Sequence, residues 1–155
     1  QKREWVEVMA PELANGETGW VRASALDVGR TVYSLRADLS ERRIEVRRRG
    51  RLVRTLPVAI GGPATPTPTG EFAVTDKLYV SDGTAAYGCC ALALTGHQPD
   101  VPQEWSGGDR LAVHATPHTA TIGQPASLGC FRASEENARW LVENVPIGSP
   151  IAIVE

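Results

Sequence analysis

A histidine and a cysteine set the terms for this chain. His114 ends the apolar run Arg110-Leu111-Ala112-Val113, and Cys130 follows 16 residues later in Ser127-Leu128-Gly129-Cys130. An imidazole can take a thiol proton and leave a thiolate, which is the nucleophile that acyl transfer needs. Sixteen residues is too far for the two side chains to meet on one helix, so the segment between them must fold back. Pro117, Gly123 and Pro125 suit it to doing so. Gly129 permits a sharp turn and close substrate approach. The backbone amides of Gly129 and Cys130 would then be placed to donate to a developing oxyanion.

The chain has three cysteines, an odd number that cannot be fully paired within it, and Cys130 is the natural candidate for the catalytic thiol. Cys89 and Cys90 read as two small residues, at least one buried, beside Ala91-Leu92-Ala93-Leu94; a vicinal disulfide is the alternative. Without a CxxC pair or clustered His and Cys ligands, no structural zinc, other metal or cofactor is expected. Sixteen basic and eighteen acidic side chains give a net charge of −2, which lacks the basic field that nucleic-acid binding needs. No apolar run reaches the roughly 20 residues that span a bilayer, and the start, Gln1-Lys2-Arg3-Glu4-Trp5, has no signal-peptide apolar region. The absent initiator Met favours a mature or trimmed chain over a cytosolic one.

The elements that must position the pair read as strands. Residues 1–29 form a short piece of their own, two strand-like segments, Trp5-Val6-Glu7-Val8 and Gly19-Trp20-Val21-Arg22-Ala23, marginal alone and in need of a partner. Residues 32–40, 43–47 and 52–60 read as a meander. Residues 61–70, rich in proline, form a long ordered loop that enters a strand at residues 71–75. Residues 77–108 suggest a strand around 87–94 between long loops. A strand at 110–113 delivers His114. One helix follows Ser134, a good N-cap, with Ala138, Leu141, Val142 and Val145 on one face, and a last strand covers residues 151–154. Seven arginines between positions 42 and 54 read as a solvated hairpin face, with an anionic cell-wall polymer as the sharper alternative.

These motifs resemble the L,D-transpeptidase catalytic domain (YkuD) family, whose signature is a histidine followed at about this distance by Ser-His-Gly-Cys. Thr65-Pro66-Thr67-Pro68-Thr69-Gly70-Glu71-Phe72 is similar to its TPTGxF element. Tyr87-Gly88-Cys89-Cys90 with the following residues resembles a segment of actinobacterial-type members, and residues 145–151 resemble its terminal V-P-x-G-T-P-V. The resemblance covers residues 30–155, while residues 1–29 more weakly resemble the tail of a bacterial SH3-like module. Two positions depart from the pattern: Leu128 stands where relatives carry histidine, and Ala115 where they carry glycine.

The resemblance implies a mainly β fold, a sandwich with a mixed sheet, long loops and one helix after the nucleophile. It implies an exported, extracytoplasmic, monomeric enzyme that acts on peptidoglycan stem peptides and is a target of carbapenems. Cys130 would be the nucleophile and His114 the base that deprotonates it or its partner in an ion pair, the other ring nitrogen held by a backbone carbonyl with Ala115 the nearest candidate. Arg132 would bind a substrate carboxylate or make a structural hydrogen bond. Ser127 and Leu128 would shape the substrate site, Ser127 chiefly by bracing the turn and Leu128 by tuning the pocket. Tyr87 would lie in a lid, and His97 and His118 would be surface or loop residues. An L,D-carboxypeptidase and a cell-wall binding module without chemistry are the alternatives. A papain-like peptidase is disfavoured, because the order and spacing of Cys and His are reversed.

Overall fold

Alternation decides the first long hairpin. In the strand Arg43–Arg48 (β4), Ile44 and Val46 are fully buried, while Arg47 and Arg48 are exposed. Its neighbours are Tyr33–Asp38 (β3) and Arg51–Pro57 (β5), both antiparallel to it, as the meander reading expects. The turn between β4 and β5 places Arg49 at φ 50° and Gly50 at φ 76°, left-handed values that match the twist of a tight hairpin.

The computed structural model describes residues 4–80, 86–102 and 107–155; residues 81–85 and 103–106 of the expected long loops lie outside these. The remaining strands are Trp5–Val8 (β1), Gly19–Arg22 (β2), Ile60–Gly61 (β6), Gly70–Tyr79 (β7), Cys90–His97 (β8), Arg110–Ala115 (β9), Pro125–Ser127 (β10), Phe131–Ala133 (β11) and Pro150–Val154 (β12). Eight of them make one mixed sheet in the order β11-β9-β8-β7-β12-β3-β4-β5. The fold is thus mostly β, with a mixed sheet and a single α-helix among the described residues.

The ten-residue β7 serves both halves of that sheet. Gly70 to Ala73 pair with β12, and Val74 to Tyr79 pair with β8, with an irregularity between Val74 and Asp76 where the strand changes partner. The far ends of the order are joined as well. Just past β5, Ala59 exchanges backbone hydrogen bonds with Arg132 of β11, at 2.8 and 3.1 Å. The sheet therefore curls on itself around a core that includes Leu35, Ile44, Leu56, Phe72, Leu92, Leu111, Phe131 and Ile151, each at most 4% exposed. Burial of side chains of this size contributes ~1.5–3 kcal/mol apiece.

The helix Glu135–Asn144 (α1) begins where the sequence places it. The Ser134 hydroxyl accepts the Asn137 N–H at 3.3 Å, and Glu135 and Glu136 in the first turn suit the positive end of the helix dipole. Its buried face, Ala138, Leu141 and Val142, packs on β8 and β9. This is why β8 is buried along almost its whole length.

Two strands escape the sequence reading. The chain does not pass from Cys130 directly to the helix: Phe131–Ala133 pairs in parallel with β9, matching Arg132 to His114. Pro125–Ser127 pairs in parallel with Ile60–Gly61. The strand expected at 87–94 starts at Cys90 and runs on to His97.

At the N-terminus, β1 and β2 pair antiparallel. Their connecting loop docks on the end of β8. Asn15 Nδ2 donates to the His97 carbonyl at 2.7 Å, the His97 N–H donates to Asn15 Oδ1 at 2.8 Å, and the His97 ring Nε2 donates to the Pro11 carbonyl at 2.7 Å. His97 is a docking residue rather than a loop histidine.

Candidate active site

His114 sits on β9, 4% exposed, and its orientation follows from one contact: Nδ1 lies 2.7 Å from the carbonyl oxygen of Ala115. A carbonyl only accepts, so Nδ1 carries the proton and Nε2 is left with the lone pair of a base. Ala115 is thus the expected partner. Its methyl is accommodated because Gly88, at φ 56°, has no side chain; a Cβ there would come within 2.6 Å of the Ala115 Cβ. The Tyr87 ring meets the imidazole edge-on, with centroids 4.9 Å apart, and so covers the site from the loop before β8.

Cys130 is a free cysteine in the turn that precedes β11, and the parallel register of β11 on β9 brings it beside the histidine strand. Its thiol donates to the Arg110 carbonyl at 3.6 Å, and no hydrogen bond to the imidazole is found among the described residues. Burial pushes the thiol pKa up, offset in part by the Ala112 N–H and the positive charge of Arg132. Burial pushes the His114 pKa down, against the Ala115 carbonyl contact, which raises it, while Arg132 lowers it further. Both directions favour a neutral thiol and a neutral imidazole at rest, rather than an ion pair. Tyr87 is pushed up by burial and then by Cys130, which places its phenol within electrostatic reach of the sulfur.

The turn itself is closely braced. Gly129 adopts φ 120°, a conformation that side chains disfavour, and a Cβ there would lie 2.4 Å from Gln98 Nε2. Ser127 Oγ accepts the Gly129 N–H at 3.1 Å and donates to the Cys130 carbonyl at 2.6 Å. As a result the Gly129 amide is committed to the Ser127 hydroxyl and is not a free donor, and that hydroxyl, engaged with both Gly129 and Cys130, braces the turn. Arg132 donates from Nη1 to the Ala126 carbonyl at 3.1 Å, the structural alternative for that residue. Leu128 is 38% exposed, so it presents an apolar side chain at the surface two residues before Cys130.

Beneath the turn lies the Thr-Pro loop, whose importance the spacing of Cys and His gives no hint of. Thr67 Oγ1 accepts the Gly61 N–H and donates to the Gly129 carbonyl, both at 2.8 Å. Thr65 Oγ1 donates to the Ser127 carbonyl at 3.3 Å. Gln98, 3% exposed, donates from Nε2 to the Thr65 and Pro66 carbonyls at 3.1 and 2.8 Å. Thr67 lies in the TPTGxF-like element, which the sequence marks without assigning it a task. Gln98 carries no sequence signal at all.

Cys89 and Cys90 are joined as a vicinal disulfide, in place of the two unlinked small residues expected, with Cys90 buried and opposite Tyr79 in the β7–β8 ladder. No cluster of three or more His, Cys, Asp or Glu side chains that could hold a metal is found among the described residues.

Comparison with known proteins agrees with this architecture. The sequence pattern of YkuD, the L,D-transpeptidase catalytic domain, matches residues 33–153. The chain is 32% identical over 126 residues to L,D-transpeptidase 1 of Mycobacterium tuberculosis, covering 76% of this chain and 49% of that protein. The chain therefore spans about half the length of that relative. Among solved structures, an L,D-transpeptidase from M. tuberculosis H37Rv superposes with a TM-score of 0.65 at 23% identity, over 92% of this chain and 67% of that one. L,D-transpeptidase 3 from M. tuberculosis, solved with a faropenem-derived adduct, superposes with a TM-score of 0.62 at 23% identity, over 80% and 60% of the two chains. These two likenesses concern the fold. The matched pattern begins at Tyr33, and none of these comparisons bears out the SH3-like reading of residues 1–29.

Proposed function

From the premise that this chain belongs to the L,D-transpeptidase (YkuD) family, we propose that it is a cysteine acyltransferase that cross-links peptidoglycan stem peptides. The observation that carries the reading is the fixed tautomer of His114, whose unprotonated Nε2 belongs to a buried ring on the strand beside the free Cys130 thiol. Nε2 takes the thiol proton as the sulfur attacks the carbonyl that joins the diamino acid to the terminal D-Ala of a tetrapeptide stem. The Cys130 amide donates to the oxyanion that forms. The carbon–nitrogen bond breaks, the imidazolium returns the proton to the departing D-Ala amine, and a thioester remains. A side-chain amine of a second stem then attacks the thioester and loses its proton to His114. The thiolate leaves and is reprotonated, which closes a 3-3 cross-link.

Tyr87 and Leu128 line the approach to the sulfur, and the Arg132 charge beside the site suits a substrate carboxylate. An enzyme acting on such a substrate works outside the cytoplasm, and we take it to act as a monomer. Water as acceptor would make the same site an L,D-carboxypeptidase.

The test is release of D-Ala from a defined tetrapeptide stem, together with the intact mass after incubation with a carbapenem. A covalent adduct is expected that is lost in Cys130→Ala and kept in Cys89→Ala. An adduct unchanged by Cys130→Ala would remove Cys130 from its role. No adduct and no D-Ala release would leave a wall-binding module.

A further inference from the structure

We infer that Thr67 is a positioning residue that holds the Cys130 amide in place as the oxyanion donor, an inference that rests on the acyl-transfer reading of this site. The Gly129 carbonyl and the Cys130 N–H belong to one peptide unit. That unit is trans and planar, so its oxygen and its N–H point in opposite directions. Whatever fixes the oxygen therefore fixes where the N–H aims.

The oxygen is fixed from below. Thr67, 5% exposed, donates its hydroxyl proton to the Gly129 carbonyl at 2.8 Å, and its oxygen accepts the Gly61 N–H at 2.8 Å. The hydroxyl cannot turn away without leaving the Gly61 amide or the Gly129 carbonyl unpaired in a buried setting, which is unfavourable. Gly61 is itself held tightly. A Cβ there would lie 2.5 Å from the Thr67 N–H nitrogen and closer still to the Thr65 carbonyl oxygen. Gln98 closes the remaining side, packed on the face of Gly129 where a side chain would sit.

With the oxygen turned inward to Thr67, the Cys130 N–H faces the opposite way. It has no acceptor among the described residues. The neighbouring donor is already spent, since the Gly129 N–H goes to Ser127 Oγ. The Cys130 amide is therefore the donor this turn leaves over, and Thr67 sets its direction without touching substrate.

Two reagents separate this role from a merely structural one. Acylation by a carbapenem passes through a tetrahedral oxyanion, whereas alkylation by iodoacetamide is a direct displacement at carbon that forms none. Both rates are read by intact mass on the same protein. Loss of one oxyanion donor costs about 10²–10³ in rate. Thr67→Val is thus expected to slow acylation by about 10² while alkylation of Cys130 stays within about threefold, and Thr67→Ser is expected to restore most of the acylation rate. Equal slowing of both reactions, unchanged acylation, or a Thr67→Ser as slow as Thr67→Val would each overturn the inference. If Thr67→Val does not fold, as judged by circular dichroism, Thr67→Ala is read by the same ratio. A wild-type protein alkylated at Cys130 but never acylated would overturn the acyl-transfer reading, and this inference with it.

Discussion

The turn that carries Cys130 and the N-terminal hairpin are held in opposite ways. At residues 126–133 the backbone is rich in partners: Gly129, Ser127, Cys130 and Arg132 each have backbone hydrogen bonds to groups that are distant in sequence or folded tightly beneath them. The hairpin β1–β2 has larger side chains and looser anchorage. Trp5 and Trp20 are 42% and 64% exposed, and the hydrogen bonds to the rest of the molecule converge on His97 through Asn15 and Pro11. The difference shows where backbone geometry must be defended. An oxyanion donor misplaced by an ångström costs catalysis, whereas a hairpin that shifts by as much loses a few exposed contacts.

His114→Ala removes the proposed base, and acylation near neutral pH should fall by about 10²–10⁴ with the circular dichroism spectrum unchanged; survival of the rate within a few-fold would place the base elsewhere. Gly129→Ala forces a side chain into a left-handed conformation against Gln98, so it should both lower the melting temperature and cut acylation by about tenfold or more. A variant as stable and active as wild type would show that the turn relaxes freely.

The pH profile is the third probe. The His114 pKa lies below its usual 6.5, so the imidazole stays unprotonated, and acylation should persist, at pH values under 6.5 where an ordinary histidine is already charged. The thiol pKa lies above its usual 9.0, so iodoacetamide alkylation should still be rising with pH past 9.0. An alkylation rate that levels off near pH 7 would mean a preformed ion pair instead. The smallest effect is expected at the hairpin. Asn15→Ala should cost about 1 kcal/mol, read as easier proteolysis of residues 4–22, and leave acylation unaltered. A loss of acylation would show that the hairpin supports the site.

A stability probe belongs to the other end of the sheet. The Asp38 carboxylate accepts the Glu41 N–H, the Ser40 hydroxyl and the Arg36 guanidinium, which lower its pKa from 3.8 to about 2. Its contribution is present above pH 3.8 and is lost as pH falls through about 2. Asp38→Asn should therefore lower the melting temperature at pH 6 and make less difference near pH 2.

Much of the fold is legible in the residues. Ile44 and Val46 alternate with charged neighbours, Ser134 caps the helix, and Ala138, Leu141 and Val142 recur at helical spacing; each is a local rule of period or capping, and each holds. The short strands at residues 125–127 and 131–133 are not legible, because three residues carry too little pattern to separate a strand from a turn. The disulfide of Cys89 and Cys90 is equally silent, since adjacent cysteines read the same whether linked or not.

The site divides along the same line. The sequence alone supplies the chemistry: a histidine, a cysteine and a glycine turn, at a spacing that demands a fold-back. The tertiary structure decides what each backbone group can do. It turns the Ala115 carbonyl onto Nδ1, spends the Gly129 amide and the Ser127 hydroxyl on each other, and places Thr67 under the Gly129 carbonyl. Side-chain identity is written in the order of residues, whereas the direction of a peptide N–H depends on which distant groups claim its neighbours, and only the packed chain brings Thr67 to Gly129 across 62 residues.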